Sequence, residues 1–236
     1  MPKQITDTDG RRLWLYGAEA PELLFLQPVD AHGAQQLEQQ VEAMQSGGRP
    51  FALAAFEVSD WNRDLSPWEA PPVFGTDPFR GGAAETLAFV TKRLLPVLKA
   101  QLPLREDSVL CLGGYSLAGL FALWASTQTD WFSGVAAASP SVWYPGWIDY
   151  VKAHPIRAPH VYLSLGDREE RTKNSVMAGV GDCIREQYEL LRNGYDAVLE
   201  WNPGNHFREP GLRTARAFCW LAACNYKNER FMEDRP

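Results

Sequence analysis

Val109-Leu110-Cys111-Leu112-Gly113-Gly114-Tyr115-Ser116-Leu117-Ala118-Gly119-Leu120-Phe121-Ala122 is the stretch around which the chain is organised. Residues 109–112 are an apolar run of the length expected for a central parallel strand. Residues 117–125 are an apolar, alanine-rich run of helical type. Ser116 stands where strand meets helix. A strand and a helix joined by so short a turn almost touch, so the positions two before and two after the serine must be small. Gly114 and Ala118 meet that demand. This is the pattern of a nucleophile elbow, which holds a serine hydroxyl at the top of a sheet. The usual glycine two residues after the serine is replaced here by Ala118, with Gly119 following.

Composition sets the frame. The chain has 236 residues, the size of one large α/β domain, and 45% of them are hydrophobic. A core of that size needs no disulfide or metal to hold it. The net charge is −6 without a long basic run, which argues against nucleic acid as the main partner. The polar start, Met1 to Asp7, lacks the apolar core of a signal peptide, and no apolar run is long enough for a bilayer, so no membrane association is expected. A cytoplasmic location is the expectation. Four cysteines without a C-x-x-C pair suggest neither a zinc site nor a redox motif, and no metal is expected.

Strands are expected at residues 10–15 and 22–29, after an Asp9-Gly10 turn that suggests an earlier hairpin. A helix follows over 32–45, stopped by Gly47-Gly48, and then an apolar strand over 51–58. Residues 59–80 show no clear periodicity, and a loop that long usually has a function. A helix over 83–101 contains Pro96, which should kink it or mark a boundary. After the elbow come strands at 134–138, 160–165 and 197–201 and helices at 147–153, 173–192 and 213–224. The tail, 227–236, is polar and expected to fray. Alternation of strands and helices from residue 51 onward predicts a mostly parallel sheet with helices on both faces. Antiparallel strands precede it. One domain spans 1–236, without a large inserted lid.

Functional groups in such sheets gather at the carboxyl ends of the strands. Three such ends carry Ser116, the acidic cluster Asp167-Arg168-Glu169-Glu170, and His206. The order serine, acid, histidine is that of an α/β-hydrolase. Ser116 would attack a carbonyl carbon, and His206 would take its proton. Of the four histidines, His206 alone follows a late strand at the correct end. An acid must orient the histidine. Glu169 is favoured for its reach, with Asp167 and Glu170 as alternatives. The oxyanion hole is expected to use the backbone N–H groups of Leu117 and of a residue near Val58 or Ser59. Trp61, Trp68, Trp143, Tyr144 and Trp147 fall near the same end, where they could line an acyl pocket or cover the core. Trp61, Arg63, Tyr115 and Trp143 are the candidate substrate-binding residues. Arg63 and Arg80 could hold an anionic group or pair with Asp60, Asp64 or Asp77.

With these segments in place, the sequence resembles the putative-esterase family of α/β-hydrolases. That family includes esterases of trilactone siderophores, the esterase D-like S-formylglutathione hydrolases, and mycolyltransferases. The matching segments are Arg63-Asp64-Leu65-Ser66-Pro67, Gly81-Gly82, Gly114 to Gly119, Ser139-Pro140-Ser141-Val142-Trp143, Gly166 with Glu169, and Gly204-Asn205-His206. The resemblance spans about residues 50–222. It implies hydrolysis of a small-molecule carboxylic ester through an acyl-serine intermediate, without metal or organic cofactor. An acyltransferase with the same triad, or a non-catalytic binding protein on the same fold, are the alternatives. The siderophore enzymes that act in the cytoplasm commonly carry an extra N-terminal β-domain, for which this chain is too short.

Overall fold

A computed structural model describes residues 3–45, 48–73, 75–105 and 107–226. The expected frayed tail and Gly47 of the expected helix stop lie outside them. The strands are β1 (Lys3–Thr8), β2 (Arg11–Gly17), β3 (Leu23–Val29), β4 (Phe51–Glu57), β5 (Glu69–Ala70), β6 (Phe79–Arg80), β7 (Val109–Tyr115), β8 (Gly134–Ala138), β9 (His160–Gly166) and β10 (Asp196–Asn202). The helices are α1 (Ala31–Ala34), α2 (Leu37–Met44), α3 (Trp61–Asp64), α4 (Ala83–Phe89), α5 (Leu95–Gln101), α6 (Leu117–Gln128), α7 (Trp147–Ala153), α8 (Ser175–Ala178), α9 (Val180–Leu191) and α10 (Pro210–Ala223).

Eight strands form one sheet in the order β1-β2-β4-β3-β7-β8-β9-β10. The β1–β2 hairpin turns at Asp9-Gly10, and both β1 with β2 and β2 with β4 pair antiparallel. Every other pairing in that sheet is parallel. This is the expected α/β-hydrolase architecture. The parallel series starts one strand earlier than residue 51, because β3 inserts between β4 and β7. Leu24 stands opposite Ala52 on one side and Leu110 on the other. A strand covered by neighbours on both edges and helices on both faces is predominantly apolar. Its residues Leu23 to Leu26 are all 0% exposed.

Alternation along the strands divides the core. Leu24, Leu26, Leu110 and Leu112 pack with Leu94, Leu98, Leu120 and Phe121 on the face that carries α4 to α7. Leu23, Phe25, Val109 and Cys111 pack with Leu37, Val41, Phe218 and Leu221 on the face that carries α2 and α10. Layers on both faces leave only the ends of the strands open.

Three local expectations change. The helix around Pro96 is interrupted by a π-helical turn, Val90–Leu94, and Pro96 falls in the first turn of α5. The backbone stays helical from 83 to 101, with Leu94 and Leu95 both in the right-handed helical conformation, so the π turn just before Pro96 absorbs the proline without ending the helix. The 173–192 helix is two helices, with Asn174 Oδ1 capping the N–H groups of Val176 and Met177 at 3.1 and 3.2 Å. The stretch without periodicity contains α3, capped by Asp60, and the β5–β6 ribbon.

Candidate active site

The elbow follows from steric necessity. Ser116 has φ 60° and ψ −120°, a left-handed conformation that a serine adopts only when its surroundings enforce it. A Cβ on Gly114 would lie 2.5 Å from the Cβ of Ala118. One of the two positions can therefore carry a methyl group, and only one, which accounts for alanine where glycine is usual. The turn is tied down by Ser116 N–H donating to Ala138 O at 3.1 Å and by Ser141 N–H donating to Ser116 O at 3.1 Å.

The three strand-end loops meet. His206 Nε2 lies 3.0 Å from Ser116 Oγ, and His206 Nδ1 lies 2.7 Å from Glu169 Oε2. A carboxylate only accepts, so Nδ1 carries the proton and Nε2 is the acceptor for the serine hydroxyl. Of the three open acids, Glu169 is the one that stands within hydrogen-bond distance of His206. Asp167 instead accepts from Gly204 N–H at 2.8 Å and braces the histidine loop. Glu170 faces Arg185 at 3.5 Å.

Glu169 is 9% exposed and its other oxygen is crowded. Oε1 accepts from Ser139 Oγ at 2.7 Å, Gly166 N–H at 2.7 Å and Arg213 Nη1 at 2.8 Å. Burial, the largest single influence, pushes the carboxyl up. The hydrogen bond and charge of His206, with the bonds from Ser139 and Gly166, outweigh it and hold Glu169 below its ordinary value. Gly166 is compelled here, since a Cβ would meet Gly204 O at 2.4 Å and Glu169 Oε1 at 2.8 Å.

Sequence reasoning missed Arg213. Its guanidinium, 1% exposed, donates to Glu169, to Tyr115 OH at 3.1 Å, and to the carbonyls of Pro203 and Asn205 at 3.0 and 3.1 Å. It thus fastens the acid and the histidine loop to α10. Tyr115 OH in turn donates to His206 O at 2.7 Å. Burial, and next the Glu169 carboxylate, push the Tyr115 phenol up to about 12. An arginine at the start of an amphipathic helix reads as a surface charge. Only the fold turns it inward. Ser141 was likewise seen only as part of a segment, yet its Oγ lies 3.3 Å from Ser116 Oγ.

Leu117 opens α6, so its N–H has no partner within the helix and is available to an oxyanion. Val58 does not supply the second donor, because its N–H already donates to Val29 O at 2.9 Å. The cause is the insertion of β3. The strand beside β7 is β3, not β4, so the loop that borders Ser116 is the one beginning at Asp30.

A cleft of about 310 Å³ opens on Ser116 and His206. Trp61 and Tyr115 line it as expected. Trp143 does not; its ring packs 6.2 Å from Phe79 and 6.5 Å from Tyr144. Trp68, Tyr144 and Trp147 also serve packing: Trp68 Nε1 donates to Pro145 O at 2.9 Å, and Tyr144 OH donates to Trp68 O at 2.6 Å. Trp147 is fully buried, with Nε1 donating to Gln187. Arg63 is not at the cleft either. It is held by Asp64 and Glu85, and Arg80 is held by Asp60 and Asp77. Both arginines take the ion-pair alternative.

Although the sequence suggested no metal cluster, the donor atoms of His160, Asp196 and Cys224 lie within 4.8 Å of one another. They sit at the opposite, amino end of β9 and β10. His160 Nδ1 lies 2.9 Å from Asp196 Oδ2 in an ordinary hydrogen-bonded pair. No helix among the described residues is long and apolar enough to cross a membrane.

Together, the elbow, the sheet order and the serine, histidine and acid in hydrogen-bond succession define an α/β-hydrolase. The family model described as "Putative esterase" matches residues 20–191, and the chain belongs to that family. An IroE-like serine hydrolase from Shewanella oneidensis is similar in structure at 16% identity and a TM-score of 0.75, over 93% of this chain and 80% of that one. The siderophore hydrolase EstA from Aspergillus nidulans aligns at 18% identity and a TM-score of 0.68, over 93% and 92%. The enterobactin hydrolase IroE in complex with DFP aligns at 18% identity and a TM-score of 0.66, over 94% of each chain. A search of curated protein sequences returned no match.

Proposed function

We propose that the chain is a serine hydrolase that cleaves a small-molecule carboxylic ester through an acyl-serine intermediate. The unbroken hydrogen-bond succession from Ser116 through His206 to Glu169 carries this reading. Ser116 Oγ bonds to the carbonyl carbon as its proton passes to His206 Nε2. Glu169 Oε2 accepts from Nδ1–H and stabilises the imidazolium without taking its proton. The Leu117 N–H, with a second amide from the loop beginning at Asp30, stabilises the oxyanion. Collapse breaks the carbon–oxygen bond to the alcohol, which leaves with the proton returned by His206. Water then gives a proton to His206 and attacks the acyl carbon; the bond to Ser116 Oγ breaks as His206 returns that proton to Oγ, which frees the acid and restores the enzyme. Arg213 occupies Glu169 Oε1 and so leaves Oε2 to the histidine.

Steady-state hydrolysis of a short-chain aryl ester tests this. Ser116→Ala and His206→Ala should each lower kcat by about 10³-fold or more, with little added loss in the double variant. Turnover by Ser116→Ala at the wild-type rate would exclude the mechanism.

A further inference from the structure

The wall of the cleft opposite the elbow is built from α1, α2 and the end of β3, and it is rich in carboxamides. Gln27, Gln36 and Gln40 line it, with the Asp30 carboxylate beside them. Gln27 and Gln40 are 6% and 1% exposed and bond reciprocally, Gln27 Nε2 to Gln40 Oε1 at 3.3 Å and Gln40 Nε2 to Gln27 Oε1 at 2.6 Å. Each carboxamide nitrogen has two hydrogens and each oxygen two lone pairs. The reciprocal pair uses one of each on Gln27 and leaves a donor and an acceptor over. Gln36 Oε1 accepts from Gly211 N–H at 2.9 Å, which anchors it at the start of α10. The carboxamides form a fixed hydrogen-bonding surface, and His32 adjoins it, its Nε2 lying 3.2 Å from Gln36 Nε2.

The charges around it are one-sided. No Lys or Arg is among the described residues that line the cleft. Arg63 and Arg80, the two cations on the neighbouring loop, are each spread over two carboxylates. Asp30 Oδ1 is held by Gly33 N–H at 2.6 Å as the cap of α1, so its carboxylate cannot swing away from an incoming anion. At the mouth the chemistry changes. Phe207 is 84% exposed, with its ring edge-on to His206 at 5.6 Å, and it shares the cleft with Trp61. A large side chain left in water at the lip of a cleft is suited to cover an apolar group.

We infer that the cleft takes an ester without an anionic group, with hydroxyl or amide groups seated on the glutamine wall and an aryl or alkyl group under Phe207. A carboxylate in the same place would meet Asp30 with no Lys or Arg on the described lining to offset it, and like-charge juxtaposition opposes binding. The inference rests on the serine-hydrolase reading of Ser116.

The test uses two aryl phosphonate probes with the same leaving group and tails of equal length, one ending in a primary amide and the other in a carboxylate. The second-order rate of Ser116 modification is read by mass spectrometry. The amide probe should react about tenfold faster or more. Asp30→Asn, which still caps α1, should narrow that ratio, and Gln36→Lys should raise the carboxylate rate. Equal rates, or a faster carboxylate probe, would overturn the inference while leaving Ser116 as nucleophile. Failure of both probes to modify Ser116 would instead overturn the serine-hydrolase reading, and the substrate inference with it.

Discussion

Arg213→Met removes one buried charge and leaves its partners in place. The Arg213 and Glu169 side chains are 1% and 4% exposed, so solvent screens little of their attraction. The substitution strips a bond from Glu169 Oε1 and from Tyr115 OH, and leaves the carbonyls of Pro203 and Asn205 without their donor. Breaking a buried pair by removing one partner costs about 3–5 kcal/mol. A domain has about 5–15 kcal/mol in total, so the variant should lie near the edge of folding. Urea unfolding at neutral pH measures the loss, and added salt should change it little. Glu169→Gln in the same background removes the orphaned charge and should recover about 1 kcal/mol or more. A loss under about 0.5 kcal/mol for Arg213→Met, the range of ordinary surface changes, would refute the reasoning.

Other consequences follow from the same contacts. Glu169→Gln should lower kcat by about 10³–10⁴-fold, whereas Asp167→Asn, which loses one acceptor for Gly204, should have a far smaller effect; aryl-ester kinetics on the two variants decide. Because Glu169 titrates below its ordinary value when folded, its contribution to stability is complete above the unfolded value and declines as pH falls through the folded one. Unfolding followed between pH 7 and pH 3 should therefore show an acid loss that Glu169→Gln reduces. Gly166→Ala forces a methyl against Gly204 O and Glu169 Oε1 and should destabilise by about 1–3 kcal/mol. Its thermal melt should fall accordingly.

The parts legible in the sequence were those with local causes. A short apolar strand, small residues on either side of Ser116 and an alanine-rich helix specify the elbow whatever surrounds them. The order of serine, acid and histidine placed three loops at one end of the sheet. What was illegible depended on which strands are neighbours. Both β3 and β4 are apolar, and no residue in either announces that β3 lies beside β7. That one exchange puts the loop beginning at Asp30 beside Ser116, while the Val58 N–H is taken by Val29 O. The choice among Asp167, Glu169 and Glu170 needed the turn after β9, and Arg213 needed the docking of α10. Arg63 and Trp143 lie in a stretch of the right character, but their partners, Glu85 and Phe79, are the reason they face away from the cleft. The reciprocal bond between Gln27 and Gln40 spans α2 and β3 and carries no sequence signature.

The central claim is that Ser116 bears the acyl group. Rapid acid quench of the enzyme with a slowly deacylated aryl ester, followed by peptide mass spectrometry, tests it most directly. An increment equal to the acyl group is expected on the peptide that contains Ser116, absent from Ser116→Ala. An acyl increment on a different residue, with turnover persisting in Ser116→Ala, would contradict it.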